Sequence, residues 1–356
     1  KAPEYIWGKN GGNSSVSADN NGNIWVIGIL KDTLQIGNQQ LISHDNYDVS
    51  LVKMDNKGNY LWAKQYGGPG DDFPIHIVNM PNGGAYISCR YSDSITIGTT
   101  THHSKGENDL LILKLNDNGD VLWSKSMGGK EDDFGLNNLA IAKSGNVYVS
   151  ATFRLGNNDT IMLGTYEFSG NTYDDIYVIK LNSNGDIIWV KKEGSKIQDA
   201  SYGIAVDNDE NIYNTGWFAD TAYFNGTAYI AKAGVQSVSK MFLSKYDSSG
   251  ALIYVVTPET SLGSTGLDVK TSPGSVYVSG QITGATIIGS DSIEEDGYKA
   301  FVIRYDHLGN INWLQVYNSK SALSALSMAI SKNEDIYAGL VFGDVTLVKY
   351  DSSGNM

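Results

Sequence analysis

The chain spells LVKMDNKGNYLW at 51–62, LILKLNDNGDVLW at 111–123 and YVIKLNSNGDIIW at 177–189, and the fold follows from how this phrase recurs. It returns as FLSKYDSSGALIY at 242–254 and FVIRYDHLGNINW at 301–313, and its first part returns as TLVKYDSSGNM at 346–356. In each copy apolar residues alternate around a basic one, an Asx/Gly turn follows, and an aromatic ring closes the complete copies. A second phrase precedes each: NGNIWVIG at 21–28, NGGAYISC at 82–89, SGNVYVSA at 144–151, DENIYNTG at 209–216, PGSVYVSG at 273–280 and NEDIYAGL at 333–340. Period-two alternation, β-branched and aromatic content, and Asn, Asp or Gly at the ends are strand signatures. Asn-Gly and Ser-Gly accept the positive φ of tight hairpins. No stretch of comparable length carries a 3.6-residue apolar period, so the chain reads as all-β.

The first repeat divides into strands at 14–18, 24–30, 48–55 and 60–66. The second-strand aromatic advances through Trp25, Tyr86, Tyr148, Tyr213, Tyr277 and Tyr337 in steps of about 60 residues. Four-stranded antiparallel units repeated four to eight times build β-propellers. The expectation is one six-bladed domain over 1–356, with blades at about 14–66, 75–127, 137–193, 202–257, 266–317, and 322–356 completed by 4–10. The last repeat stops at Met356 before its outer aromatic, and EYIWGKNGG at 4–12, with Trp7, matches YLWAKQYGG at 60–68. The N-terminal strand is therefore expected to complete the last blade and close the ring, which removes exposed strand edges.

Composition narrows function. The net charge of −13 repels phosphate backbones and anionic lipid, so nucleic-acid and membrane-surface binding are disfavoured. The single cysteine, Cys89, forms no internal bridge, and no apolar run is long enough to cross a bilayer. The five histidines (His44, His76, His102, His103 and His307) lack metal-ligand spacing, and no nucleophile-elbow or triad signature is present.

The repeat residues resemble bacterial SBBP-type propeller repeats, with their "GNVYVSG … D-apolar-V-K-apolar-D … G … W" pattern, over nearly the whole chain. The resemblance implies a propeller that is exported or surface-attached, with no assigned chemistry. A weaker likeness is to the tryptophan-docking repeat of quinoprotein propellers, carried by Asp55, Gly58 and Trp62. Quinoprotein dehydrogenases commonly add adjacent cysteines, which one Cys89 cannot supply. Asp-Ser/Thr-apolar triplets such as Asp32-Thr33-Leu34 and Asp93-Ser94-Ile95 resemble a bacterial extracytoplasmic O-glycosylation acceptor, although turn chemistry accounts for them equally.

A residue present in every copy is explained by packing. The tryptophan series is expected to be inter-blade core, and Lys53, Lys114, Lys180, Lys245, Arg304 and Lys349 to be backbone clamps or ion pairs with the aspartate five positions earlier, as in Asp48, Asp109 and Asp175. Turns such as Asp19–Gly22 read as Asx turns rather than calcium loops. Binding residues are sought on the connections between outer and inner strands and between second and third strands, expected to be the long loops of one face. Three of these carry an acid at one offset, Asp72 in GGPGDDF, Asp133 in GGKEDDF and Asp199 in GSKIQDA, with Phe73 and Phe134 after two of them. Beyond the second-strand aromatic the copies diverge, and Arg90, Trp217 and Gln281 carry recognition chemistry.

The expected function is a non-catalytic, extracytoplasmic binding or scaffolding propeller, monomeric, recognising protein or carbohydrate through these residues. The alternative is a polysaccharide hydrolase or lyase using Asp72, Asp133 or Asp199. No cofactor is expected. Calcium is the one metal left open, with Asp71, Asp72, Asp132 and Asp133 as candidate ligands.

Overall fold

The computed structural model describes residues 13–133, 138–156, 159–170, 173–231, 238–294, 297–319, 327–331, 333–341 and 345–356. The expected N-terminal strand with Trp7, and Phe134, lie outside them. Every regular element among the described residues is a strand. The first sheet pairs β1 (Asn13–Ala18), β2 (Ile24–Ile36), β3 (Gln39–Met54) and β4 (Tyr60–Tyr66) in chain order. The second does the same with β5 (Asp72–Asn79), β6 (Ala85–Ile97), β7 (Thr100–Leu115) and β8 (Val121–Met127). The third uses β9 (Asn138–Ile141), β10 (Val147–Arg154), β13 (Asp174–Leu181) and β14 (Ile187–Glu193), with β11 (Thr160–Leu163) and β12 (Tyr166–Ser169) as a hairpin between. The fourth has β15 (Asp199–Val206), β16 (Ile212–Ala219), β19 (Ser239–Tyr246) and β20 (Leu252–Val256), with the hairpin β17 (Thr221–Phe224) and β18 (Thr227–Ile230).

In the fifth, a short β21 (Glu259–Thr260) precedes β22 (Gly263–Ser272) and β23 (Ser275–Thr283). The hairpin β24 (Thr286–Ile288) and β25 (Asp291–Ile293) then leads to β26 (Tyr298–Asp306) and β27 (Ile311–Ser319). A single parallel bridge, Ser239 to Gly263, links the fourth and fifth. The last group is β28 (Ser327–Ile330), β29 (Ile336–Val341) and β30 (Val345–Tyr350).

The chain forms two compact units: Lys1–Ile141 with Phe153–Thr172 and Leu181–Ile187, and Ala142–Thr152 with Tyr173–Lys180 and Ile188–Met356. In the first unit one buried cluster joins Trp25, Ile27 and Leu51 of the first sheet to Ile87, Cys89 and Leu113 of the second. In the second unit Tyr213, Met241 and Leu243 pack on Val278, Phe301 and Ile303. Tyr277 and Val302 in turn pack on Ile336 and Tyr350. Within each unit these sheets thus bury their faces on one another, which is how repeat folds acquire a core.

One turn geometry recurs along the chain. In the first, the Asp19 amide bonds the Asn23 carbonyl at 2.9 Å, the Gly22 amide bonds the Asp19 carbonyl at 3.0 Å, and Gly22 takes φ +78°. This is a type I turn with a left-handed bulge residue, one of the standard hairpin closures. The Asp19 carboxylate accepts the Asn21 and Asn23 amides at 2.9 Å each. It is therefore held by its own turn, as an Asx turn requires.

The repeated basic residue and tryptophan lock each repeat onto the next. Lys114 lies over the Tyr86 ring and donates to the Ser183 carbonyl at 2.7 Å, and Trp123 Nε1 donates to that same carbonyl at 3.1 Å. Lys180 and Trp189 treat Ser248 likewise, at 2.8 and 3.2 Å, and Arg304 and Trp313 treat Ser352, at 2.6 and 3.2 Å. The aromatic ring then covers the turn glycine of the following repeat. A Cβ would meet Trp62 at 2.7 Å from Gly119, Trp123 at 3.1 Å from Gly185, and Trp313 at 2.9 Å from Gly354.

The backbone-clamp reading therefore holds for Lys53, Lys114, Lys180, Lys245 and Arg304, while Lys349 pairs with Asp335 at 2.8 Å. The other reading, pairing with the aspartate five positions earlier, does not hold for Lys53: an odd spacing on a strand puts the two on opposite faces. The partners of Lys53 are Asp117 at 2.7 Å and Asp19 at 3.4 Å.

The connections between second and third strands of the first five repeats, expected as loops, carry hairpins. β2 and β3 stay paired from Thr33–Ile42 to Ile36–Gln39, beyond a bulge at Asp32. Asp32, Asp93 and Asp220 hold φ of 57°, 54° and 55° at this hinge, a left-handed conformation that Asp tolerates better than most residues.

Candidate functional site

The three aspartates expected on a loop surface stand inside. Asp72, Asp133 and Asp199 are 0 %, 0 % and 1 % exposed. Asp72 Oδ2 accepts the Gly68 amide at 2.8 Å. Asp133 accepts the amides of Gly129 at 2.8 Å and Arg154 at 3.1 Å. Asp199 accepts the Ser195 amide, the Ser195 hydroxyl at 3.1 Å and the Ala219 amide at 3.1 Å.

Each faces a second buried carboxylate across a glycine. A Cβ at Gly67 would lie 2.2 Å from Asp48 Cγ, and one at Gly128 would lie 2.2 Å from Asp109 Cγ. One at Gly194 would fall between Asp199 Oδ2 at 2.8 Å and Asp175 Oδ1 at 2.9 Å. The glycine that opens each of these loops is therefore the spacer that lets two acids share the bend.

Burial, reinforced by the neighbouring acid, raises the Asp72 and Asp133 carboxyls to about 8 and that of Asp199 to about 7. Burial also lifts Asp109 to about 6 and raises Asp175, which Lys192 contacts at 2.8 Å. Asp48 Oδ1, Asp71 Oδ1 and Asp72 Oδ1 are buried without a hydrogen-bond partner. Asp132, the fourth candidate ligand, accepts from the Asn108 amide group at 2.8 Å. Among the described residues no three His, Cys, Asp or Glu side chains gather closely enough to hold a metal ion.

Of the other expected residues, Phe73 and Arg90 come together. Register pairs them across β5 and β6, and the Arg90 guanidinium lies 4.9 Å from the Phe73 ring centroid. Tyr47, which no local pattern singles out, stacks on Phe73 at 5.3 Å and 34°, and Lys31 lies 5.1 Å over Tyr47. The result is a cation–ring–ring–cation stack in the first unit, with Lys31 exposed and the other three half-buried. Trp217 and Gln281 belong to the second unit. Trp217 donates to the Tyr202 hydroxyl at 3.2 Å, and Gln281 is half-buried opposite Thr265 on β22.

A second place has no counterpart among the residues expected from sequence. In the second unit a cleft of about 540 Å³ opens between the turns 207–211 and 271–275, lined by Asp207, Asp209, Tyr213, Lys245, Ser272 and His307. Lys245, 6 % exposed, donates to the His307 carbonyl at 2.8 Å and lies over the rings of Tyr213 and Tyr254. Burial pulls its pKa down, against the opposing pull of Asp207, Asp209 and Asp306. Equivalent basic residues meet a carboxylate at short range: Lys53 meets Asp117 at 2.7 Å and Lys180 meets Glu210 at 3.4 Å. The sequence signal was available, because the fifth repeat places His307 and Gly274 where the second has Asp117 and the fourth has Glu210.

No family model matches the chain. An uncharacterized WD repeat-containing protein, L264, of Acanthamoeba polyphaga mimivirus is 24% identical over 226 residues, 54% of this chain and 16% of the viral protein. The regulatory protein FlaEY of Caulobacter vibrioides is 29% identical over 112 residues, 32% of this chain and 12% of its own length. The chain thus spans well under a fifth of either curated relative. Among solved structures, the hydrazine synthase of Kuenenia stuttgartiensis superposes with a TM-score of 0.51 at 11% identity, covering 94% of this chain and 76% of that one. WD repeats are propeller units. With its successive antiparallel four-stranded sheets, the chain is an all-β protein of propeller-like architecture.

Proposed function

We propose that the chain is a six-bladed, ring-closed propeller that binds a protein partner without chemistry, in an extracytoplasmic setting. The stack of Lys31, Tyr47, Phe73 and Arg90 carries this reading. Two cations enclose two partly exposed rings, on a chain of net charge −13, and such surfaces suit acidic or aromatic segments of a partner. Ring closure is supported by the repeat lock: five turn glycines (Gly119, Gly185, Gly250, Gly309 and Gly354) lie under the outer aromatic of the preceding repeat. Gly58 occupies the same turn position in the first repeat, and the sequence around Trp7 supplies an outer aromatic for it. The SBBP-type resemblance supports the extracytoplasmic setting.

The enzymatic alternative needs Asp72, Asp133 or Asp199 to reach a substrate, and all three are sealed under backbone amides. The test is retention of partners from the native extract, together with a glycan array, on wild type and on Lys31→Glu/Arg90→Glu. Retention of a protein by wild type and not by the variant supports the proposal. Retention that ignores the substitutions, or turnover of any captured polysaccharide, overturns it.

A further inference from the structure

We propose that the cleft between the turns 207–211 and 271–275 binds a neutral saccharide of one or two sugar rings. It does not rest on the Lys31–Arg90 surface, which belongs to the other compact unit, so either reading can fail alone. At about 540 Å³ the cleft lies within the range of small-ligand sites.

Its floor carries unused hydrogen-bonding capacity. The Lys245 ammonium has three N–H groups, and its one hydrogen bond goes to the His307 carbonyl. Ser272 Oγ is buried and has no partner. Asp207 offers nothing further, since its carboxylate already accepts from the Asp209 and Asn211 amides, the Asn211 side chain and the Tyr213 hydroxyl. The Asp209 carboxylate at the mouth is exposed.

The charge distribution selects the ligand class. Asp207, Asp209 and Asp306 outnumber the single ammonium and oppose an anion. The ammonium at the floor opposes a cation. A neutral molecule with adjacent donors and acceptors meets both, and vicinal hydroxyls have that character: an acceptor toward Lys245, a donor toward Asp209, and either toward Ser272.

The preceding step of the repeat lacks this opening. In the preceding step Glu210 sits at φ 63° and closes the equivalent space. It accepts from the Ser144 hydroxyl at 3.0 Å, the Asn146 side chain at 2.7 Å and the Tyr148 hydroxyl at 2.7 Å, and pairs with Lys180. Gly274, at φ 76°, takes the place of that glutamate here and leaves the space clear.

Titration calorimetry and saturation-transfer NMR with maltose, cellobiose, lactose and N,N′-diacetylchitobiose, each at about 10 mM, test this at the affinities expected of a small site. At least one disaccharide should bind saturably. Ser272→Ala should weaken it about tenfold, as loss of one buried hydrogen bond implies. Gly274→Glu, which installs the carboxylate plug of the preceding repeat, should abolish binding, with melting temperature as the control for folding. The proposal is overturned if none of the four binds, if affinity is unchanged in both variants, or if citrate or calcium occupies the cleft in their place.

Discussion

Replacing Asp72 by Asn should stabilise the protein in mild base and leave it unchanged in acid. Asp72 is fully buried, its Oδ2 accepts the Gly68 amide, and its Oδ1 has no partner. Asparagine keeps the acceptor toward Gly68 and turns an N–H toward a region where Asp48 Oδ1 and Asp71 Oδ1 also lack donors. The folded carboxyl is raised from 3.8 to about 8, mainly by burial and then by Asp48 and Asp71. Because the folded value lies above the unfolded one, the associated stability is complete below about pH 4 and is lost as pH rises through 8.

At about 1.4 kcal/mol per tenfold change in proton affinity, the ionised form costs at most on the order of 6 kcal/mol. Relaxation around the charge brings the realised figure to about 2–3 kcal/mol. For a chain of this size that is a gain of about 4–8 °C in melting temperature. Thermal melts of wild type and Asp72→Asn from pH 4 to 9 should coincide at the acid end, diverge steadily above about pH 4 and reach a constant difference above about pH 8. A variant less stable at pH 8.5, or a difference that does not change with pH, refutes the reasoning.

Gly67→Ala should cost about 1–3 kcal/mol by overpacking, because its Cβ would meet Asp48 at 2.2 Å, whereas Gly339→Ala, with its nearest contact at 3.7 Å, should be close to neutral in the same denaturation assay. A chain beginning at Gly11 should lose stability comparable to truncating a buried tryptophan, about 3–5 kcal/mol, and melting at an unchanged temperature would remove the ring-closure proposal.

What was legible in the sequence was whatever every repeat must do. Trp25, Tyr86, Tyr148, Tyr213 and Tyr277 are buried as their alternation required, and the Asx/Gly turns close as their residues dictate. The hairpins beyond Asp32 and Asp93 have a sequence signal too, in Gly37-Asn38 and Gly98-Thr99 between alternating residues, but each signal is only two residues long and looks the same as a loop. The acids at Asp72, Asp133 and Asp199 misled for a physical reason. An aspartate beside glycines looks the same in sequence whether it faces water or caps a bend from within, and only the third dimension brings Asp48, Asp109 and Asp175 beside them. The stack at Arg90 needed Tyr47, 43 positions away, which no local pattern could supply.

The lock between repeats has a direction. Trp123 is seated by a carbonyl 60 residues later in the chain, so a fault in one turn loosens the sheet upstream of it rather than its own. A single sheet taken alone would have one ring with no floor and one turn roofless. Copying or removing one whole period keeps every ring over a turn, whichever residue the piece starts from.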